Sequence, residues 1–218
     1  MLGILCGLEA EAIIARRINE AQVACAASRP QMARWLAREL VRRGAKRLLS
    51  FGIAGGLEPG LPAGTIIVGT QVQSKDGVTI CTDDWVTSLV QKFPEAHCGP
   101  LWGSEYVVAS VKEKRSLYEK SRCLAVDLES HCVAQIALEA DLPFAVLRVI
   151  ADAAETTLPR AATIPLLENG KPDIKRVLLN LLRYPRQLPE LFHLACGTKK
   201  AMNVLRATSK RMIDEIHR

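Results

Sequence analysis

The sequence predicts an α/β fold, a three-layer αβα sandwich with a mixed central sheet and additional C-terminal helices. Two observations lead to this prediction. Up to residue 151, short apolar or β-branched runs typical of strands alternate with segments whose apolar residues recur every three or four positions, as on one face of a helix. From Pro172 onward, only helical patterns rich in leucine remain.

The length and the apolar content of the chain are those of one globular domain. With 218 residues, 49% of them hydrophobic, the chain can form a complete core but is short for two ordinary domains. We therefore predict a single domain over residues 1–218, with a basic, leucine-rich helical extension at about residues 171–218.

The individual elements follow from the local patterns. Strands are predicted at residues 2–6, 22–27, 46–52, 65–68, 105–109, 122–126 and 144–151. Helices are predicted at residues 31–43, 83–92, 111–120, 128–140, 174–184, 188–194 and 199–216. Gly44 ends the first helix, Pro185 and Pro189 interrupt the last ones, and the glycine-rich segment after residue 52 is predicted to be a loop.

Cysteine usage and charge restrict the compartment and the partners. Seven cysteines are scattered without a CxxC pair or a Cys/His cluster, which argues against a disulfide framework and against a metal site. The N-terminal apolar stretch ends at Leu8, too early for a secretory or membrane-spanning segment, so we expect a cytoplasmic protein. Residues 171–218 hold 11 Lys/Arg against 4 Asp/Glu and so account for the net charge of +6.

Polar residues that follow strand-like runs mark a candidate ligand site, because ligands of open α/β sheets bind beyond the carboxyl ends of the strands. Four places qualify: Glu9 with Glu11, the segment Gly52–Gly56, Asp127 with Glu129, and Asp152. Each alone has a simpler explanation, such as a strand connection, a helix cap, a turn or a solvated glutamate. Their occurrence together at one predicted sheet edge favours a binding site.

Three ordered motifs resemble signatures of the purine/uridine phosphorylase superfamily, nearest to the methylthioadenosine/S-adenosylhomocysteine nucleosidases. They are Gly52-Ile53-Ala54-Gly55-Gly56, Val126-Asp127-Leu128-Glu129-Ser130 and Arg148-Val149-Ile150-Ala151-Asp152-Ala153. The resemblance implies a phosphorylase/hydrolase-like fold, a homo-oligomer, and cleavage of a purine N-glycosidic bond without a cofactor or a metal.

A narrower resemblance involves four segments of the chain. Residues 50–59, 99–104, 169–173 and 184–189 resemble the hopanoid-associated phosphorylases. That subfamily implies a particular substrate, adenosylhopane, in which the 5′ carbon of adenosine bears a triterpene. The implied products are adenine and ribosylhopane, in hopanoid biosynthesis.

The resemblance also implies roles for the acidic residues. Asp152 would be the general acid at N7 of adenine, with a pKa raised by burial so that it holds its proton near neutrality. Glu129 would accept hydrogen bonds from the ribose hydroxyls, and Leu128 would lie under the sugar. Glu11 would activate the attacking water, whereas Glu9 is expected to be structural.

The remaining predicted contacts are with the base and the sugar. Tyr106 would stack on adenine, and the main chain at Val107 would read the edge of the base. Ile53, Ala54 and Gly55 would form a loop that lets the ribose approach closely. The alternative for Tyr106 is a core aromatic in a strand, a common place for such a side chain.

Departures from the family pattern decide between water and phosphate as the nucleophile. Ser50 and Ile53 stand where phosphorolytic relatives place an arginine and a serine that bind phosphate. Arg29 is the one nearby cation that could replace them, but the simpler interpretation is a lone surface arginine. We therefore predict a nucleosidase, with a phosphate-dependent phosphorylase giving ribose 1-phosphate as the alternative. A non-catalytic nucleoside- or lipid-binding protein is the second alternative. Ala151 replaces the serine that orients the acid in nucleosidases.

The leucine-rich C-terminal segment suggests a membrane contact. Its helices combine apolar and basic positions, namely Leu178, Leu179, Leu182, Leu188, Leu191, Phe192 and Leu194 with Lys175, Arg176, Arg183 and Arg186. An apolar face with a basic rim suits peripheral contact with the inner face of a membrane, and a lipid-like 5′ group of the substrate. The alternative is that these leucines pack on the core. A basic segment could also bind nucleic acid, which we do not expect.

Overall fold

The structure is a computed structural model that describes residues 1–18 and 21–213. Within these ranges, the strands are β1 (Leu2–Cys6), β2 (Ala21–Cys25), β3 (Arg47–Gly56), β4 (Ile66–Ser74), β5 (Gly77–Ile80), β6 (His97–Gly103), β7 (Ala125–Asp127) and β8 (Phe144–Asp152). The helices are α1 (Glu9–Ala15), α2 (Pro30–Arg42), α3 (Asp83–Lys92), α4 (Val111–Ser121), α5 (Ser130–Glu139), α6 (Ile174–Arg183) and α7 (Leu188–Ile213). Short 3₁₀ turns lie at Arg160–Thr163 and Pro185–Gln187.

The strands form one mixed sheet that closes on itself. β3 pairs in parallel with β1 and β8, and after a register shift between Ala54 and Gly55 its end pairs antiparallel with β7. β8 continues antiparallel to β4, β4 parallel to β6, and β6 parallel to β7. The strands β3, β8, β4, β6 and β7 therefore make a ring, and the bulge in β3 brings the ends of β3, β7 and β8 together.

Helices cover both faces of the sheet. On one face, Leu5 and Leu48 pack with Ala37 of α2 and with Val133 and Ile136 of α5. Their chain neighbours Ile4 and Leu49 point to the opposite face, because successive strand residues alternate. There they belong to a second core with side chains of α1, α3 and α7, including Ala12, Leu89 and Leu205. The predicted αβα sandwich with a mixed sheet is confirmed.

The strand predicted at residues 105–109 is wrong. β6 ends at Gly103, and residues 104–110 are irregular. Ser104 explains the end of the strand, since its hydroxyl donates to the carbonyl oxygen of Tyr106 (2.7 Å) and accepts from the Tyr106 amide (3.3 Å). Such a local side-chain turn competes with strand pairing and leaves the following apolar residues free to line a cavity.

The glycine-rich segment predicted as a loop is the end of strand β3. Gly52 is needed there for space, because a Cβ atom at this position would lie 2.6 Å from Glu11 Oε1 and 2.6 Å from Arg148 Nη1. Real Cβ atoms do not approach other heavy atoms so closely. The glycine therefore lets two charged side chains lie against the strand backbone.

The two helices predicted at residues 188–194 and 199–216 are one helix, α7, as far as the structure describes them. Gly197 does not interrupt it. A Cβ atom at Gly197 would lie 2.4 Å from the carbonyl oxygen of Ala151, so this glycine lets α7 lie directly against the end of β8. The rest of the predicted second helix, residues 214–216, lies outside the described residues.

Replacing Gly197 by alanine should destabilise the protein despite the better helix propensity of alanine. In a free helix the substitution would stabilise by about 1 kcal/mol. Here the added Cβ displaces α7 from Ala151, and overpacking of this kind costs about 1–3 kcal/mol. Urea unfolding would measure the change, with Cys196→Ala at the exposed neighbouring position as the control. A more stable Gly197→Ala variant would contradict the close contact.

Candidate active site

A cavity of about 200 Å³ lies where the ends of β3, β7 and β8 meet. All nine site residues predicted from the sequence line it: Glu11, Ile53, Ala54, Gly55, Tyr106, Val107, Leu128, Glu129 and Asp152. The structure therefore brings together residues that are far apart in the chain. Gly7, Leu8, Ser28, Asp127 and Leu158 are further lining residues that the sequence did not mark as contacts.

Glu11 is held in the first turn of α1 by three backbone amides. Its Oε2 accepts from Gly7 (2.9 Å) and Leu8 (2.8 Å), and its Oε1 accepts from Ile53 (2.7 Å). Burial raises the pKa of Glu11, while the charge of Arg148 and the three amides act in the opposite direction. The carboxyl group is fixed in orientation and still lines the cavity, with lone pairs left for one further donor.

Asp127 and Glu129 are neighbours in sequence with different surroundings. Asp127 Oδ1 accepts from the amides of Glu129 (3.0 Å) and Ser130 (2.7 Å), where α5 begins. Glu129 Oε2 lies 3.5 Å from Arg148 Nη2, and no other described residue forms a shorter ion pair with it. Burial raises the pKa of Glu129 to about 8, although Arg148 opposes the shift. Glu129 therefore remains available to a ligand, whereas Asp127 is occupied by the fold.

Arg148 is a completely buried cation behind the cavity. Its Nε lies 2.9 Å from Asp127 Oδ2, and its Nη2 donates to the hydroxyls of Ser50 (2.7 Å) and Ser130 (3.2 Å). The sequence analysis included Arg148 in a motif but gave it no role. The available signal was an arginine inside the otherwise apolar strand Phe144–Ile150, where an unpaired charge would be costly.

Asp152 ends β8 and is paired with a buried lysine. Lys114 of α4 donates from Nζ to Asp152 Oδ2 (2.5 Å) and to the carbonyl oxygens of Ala153 (2.9 Å) and Thr156 (2.8 Å). Burial raises the pKa of Asp152, and the positive charge of Lys114 opposes this. Sequence reasoning missed Lys114, because the charged residues around it, Lys112 and Arg115, are on the solvent-facing side of the same helix.

Tyr106 lies at the mouth of the cavity. Its side chain is 68% exposed, so the alternative of a core aromatic in a strand is wrong. An exposed ring beside an apolar cavity wall can bury one face against a flat ligand. Val107 and Val108 continue the same wall.

The lining of the cavity is acidic. Glu11, Asp127, Glu129 and Asp152 contribute carboxyl groups, and no Lys or Arg is among the described residues that line it. Ser50, where the family resemblance predicts that a phosphate-binding arginine has been lost, is fully buried and hydrogen-bonded to Arg148 and Ser130. Arg29 precedes the first residue of α2 and is not among the lining residues. In the described part of the chain, no cluster of His, Cys, Asp and Glu could hold a metal ion.

Several solved structures share this fold over nearly the whole chain. The 5′-methylthioadenosine/S-adenosylhomocysteine nucleosidase of Helicobacter pylori superposes with a TM-score of 0.73 at 16% identity, covering 98% of this chain and 97% of that one. Futalosine hydrolase of Helicobacter pylori has a TM-score of 0.75 at 16% identity, with coverages of 98% and 97%. The nucleosidase of Neisseria meningitidis has a TM-score of 0.72 at 14% identity, with coverages of 99% and 97%.

At these identities the structural likeness shows the fold, and the family comes from the sequence. Residues 18–183 match the sequence model of the phosphorylase superfamily. The chain belongs to this superfamily, and the prediction of a nucleosidase or nucleoside phosphorylase is confirmed at that level. No curated sequence matches the chain closely enough to count as a relative.

Replacing Glu129 by glutamine should flatten the dependence of stability on pH. The folded protein holds a proton on Glu129 up to its pKa of about 8, whereas an unfolded glutamate has a pKa of about 4.3. Between these values only the folded state binds the proton, so the free energy of unfolding falls as the pH rises. The slope contributed by one such group is up to about 1.4 kcal/mol per pH unit.

Urea unfolding of the wild type and of Glu129→Gln from about pH 5 to about pH 8 would measure this contribution. The matched control is Glu139→Gln on the exposed end of α5, which should keep the wild-type slope. Identical slopes for the wild type and Glu129→Gln would show that Glu129 is not protonated in the folded protein.

Proposed function

We propose that the protein is a nucleosidase that hydrolyses the N-glycosidic bond of a 5′-modified adenosine and releases adenine. The observation that carries this proposal is the acidic lining of the cavity, with four carboxyl-bearing residues and no lining cation among the described residues. Cleavage of the bond creates positive charge on the ribose, which ionised carboxyl groups in the lining stabilise. A phosphate dianion would find no lysine or arginine among the described lining residues to bind it, which favours water over the phosphorolytic alternative.

Three carboxyl groups supply the chemistry in this proposal. Protonated Asp152 donates to N7 of the leaving base, Glu129 accepts hydrogen bonds from the ribose hydroxyls, and Glu11 accepts a proton from the attacking water. The raised pKa of Asp152 supports the first role, because the acid must hold its proton until the bond breaks. The fixed orientation of Glu11 supports the third, because a base must be aimed at one place.

The nucleosidase and hydrolase names of the structural neighbours support hydrolysis rather than phosphorolysis. For the 5′ group, we propose the triterpene of adenosylhopane, which would make ribosylhopane the second product. The support is the subfamily resemblance of the segments at residues 50–59, 99–104, 169–173 and 184–189.

Adenine release from adenosylhopane should not depend on phosphate. We expect ribosylhopane as the product with or without phosphate, detected by mass spectrometry. A strict requirement for phosphate, with a ribose 1-phosphate product, would establish the phosphorylase instead.

Asp152→Asn should lower kcat by about 10²–10⁴-fold, the usual contribution of a general acid. The control Glu155→Gln lies nearby in the chain but is exposed and outside the cavity lining, and should keep wild-type activity.

An exposed apolar surface on α6 supports a lipid-bearing substrate. No residue of α6 is buried, and Ile174, Leu178, Leu179 and Leu182 are 55–81% exposed. Leu188 and Phe192 at the start of α7 extend this patch, which we call the α6 face. The alternative that these leucines pack on the core is wrong for α6. No helix in the described part of the chain is long and apolar enough to cross a membrane.

We propose that the α6 face rests on an anionic membrane surface from which the substrate is taken. Lys175, Arg176, Arg183 and Arg186 are on or next to this helix and provide the charge that acidic headgroups attract. Asp173 caps the helix by accepting from the Arg176 amide at 3.1 Å, so the helix has a fixed start. A second copy of the chain, as expected for a homo-oligomer, is the competing occupant of this face.

The full chain should float with vesicles that contain anionic phospholipid, and much less with neutral vesicles. The double variant Leu178→Glu/Leu182→Glu should lose this flotation, whereas Leu138→Glu, at an equally exposed leucine of α5, should keep it. Failure of the wild type to float would overturn the membrane contact. If the double variant instead changes the oligomeric mass measured by ultracentrifugation, the α6 face is a subunit interface.

A further inference from the structure

Lys114 is the most deeply buried lysine that the structure describes, with no exposed side-chain surface. An ammonium group in such a place loses its charge unless its partners compensate for the lost water. All three of its N–H donors are used, one by Asp152 and two by the carbonyl oxygens of Ala153 and Thr156. The lysine therefore ties α4 to the end of β8 and to the loop that follows it.

The contact between Lys114 and Asp152 makes the two carboxyl oxygens of Asp152 different. Lys114 occupies Oδ2, and no described group donates a hydrogen bond to Oδ1. Since Asp152 lines the cavity, Oδ1 is the oxygen that remains for a ligand. Ala151 has no hydroxyl that could orient its neighbour, so the aim of this carboxyl group depends on Lys114.

We propose that Lys114 is the positioning residue of the general acid: it holds Asp152 Oδ2 so that Oδ1 faces the leaving base, and it stabilises the carboxylate left after proton transfer. The inference rests on the proposed nucleosidase function. In the step itself, the proton on Oδ1 moves to N7 while the electron pair of the glycosidic bond goes to the base. Glu11 takes one proton from the attacking water, the hydroxide bonds to the sugar carbon, and transfer of a proton from Glu11 to Asp152 through solvent restores both groups.

Other charged groups around Asp152 define the controls. A second cavity, of about 360 Å³, shares Asp152 with the first and is lined on its other side by His193 and Lys200 of α7. Both side chains are exposed, so water screens their charges. Glu129 lines the first cavity together with Asp152. Lys114 is the charged group in direct contact with the acid.

The kinetic test compares Lys114→Met with the wild type across pH. Loss of the positive charge raises the pKa of Asp152, so the fall of kcat/KM at high pH should move to still higher pH. At neutral pH, kcat should drop by at least about tenfold because the acid is weaker and poorly aimed, with KM little changed. Lys114→Arg should recover part of kcat, and Lys200→Met should leave the pH profile unchanged.

A double-mutant cycle shows whether Lys114 acts through Asp152. In the Asp152→Asn background, Lys114→Met should cause no further loss of kcat, and this double variant leaves no unpaired buried charge if the single variant fails to fold. Equal losses in both backgrounds would overturn the positioning role. An unchanged kcat and pH profile in folded Lys114→Met would also overturn it.

A measurement without turnover separates this inference from the proposed function. Carbon-13 NMR of the Asp152 carboxyl group should show titration at a higher pH in Lys114→Met than in the wild type. If that difference is seen but the wild type releases no adenine, the nucleosidase proposal fails and the pairing stands. If adenine is released but the two titrations coincide, the inference about Lys114 fails.

Discussion

The buried guanidinium of Arg148 is the interaction on which the site depends. β8 carries this charge into the interior, and side chains from separate segments surround it, with Asp127 at the end of β7, Glu129 before α5 and Ser50 in β3. Its charge also lowers the pKa of Glu11, against the effect of burial. Removing one partner of such a cluster leaves a charge without solvent and costs several kcal/mol. The segments that bear the acidic residues are therefore held in one arrangement.

The second feature on which the site depends is the presence of glycine residues next to its carboxyl groups. A Cβ atom at Gly7 would lie 2.6 Å from Glu129 Oε1, and one at Gly52 would lie equally close to Glu11 Oε1. The two glycines let both carboxyl groups lie against the backbone, Glu129 beside the end of β1 and Glu11 beside the middle of β3. Three amide donors replace water around Glu11. This arrangement explains how several acidic side chains are accommodated around Arg148: part of the stabilisation comes from the main chain, and part from the proton that Glu129 retains.

The sequence predicted the αβα class from the periodicity of its strands and helices, which is a local signal. It predicted the nine lining residues from the family resemblance: six lie in the three motifs, and Glu11, Tyr106 and Val107 lie outside them. It did not predict Lys114, whose partner Asp152 is 38 positions away and whose own helix looks solvated. The sequence also predicted a loop at Gly52 and a break between two helices around Gly197, although these segments belong to β3 and α7. In both cases glycine serves a close approach between elements, and only the three-dimensional arrangement distinguishes that use from a turn. The roles of the nine residues remain predictions from the family resemblance.

Because α7 is one continuous helix, it connects the exposed apolar patch to the end of β8. Phe192, in the first turns of this helix, belongs to the exposed apolar patch, while Gly197 touches the carbonyl of Ala151, the residue before Asp152. Five residues of α-helix span only about 7.5 Å along the axis, and a helix of this kind is stiff. One stiff helix therefore connects the apolar patch to the backbone beside Asp152. A displacement of the helix at Phe192 would also displace its contact with Ala151.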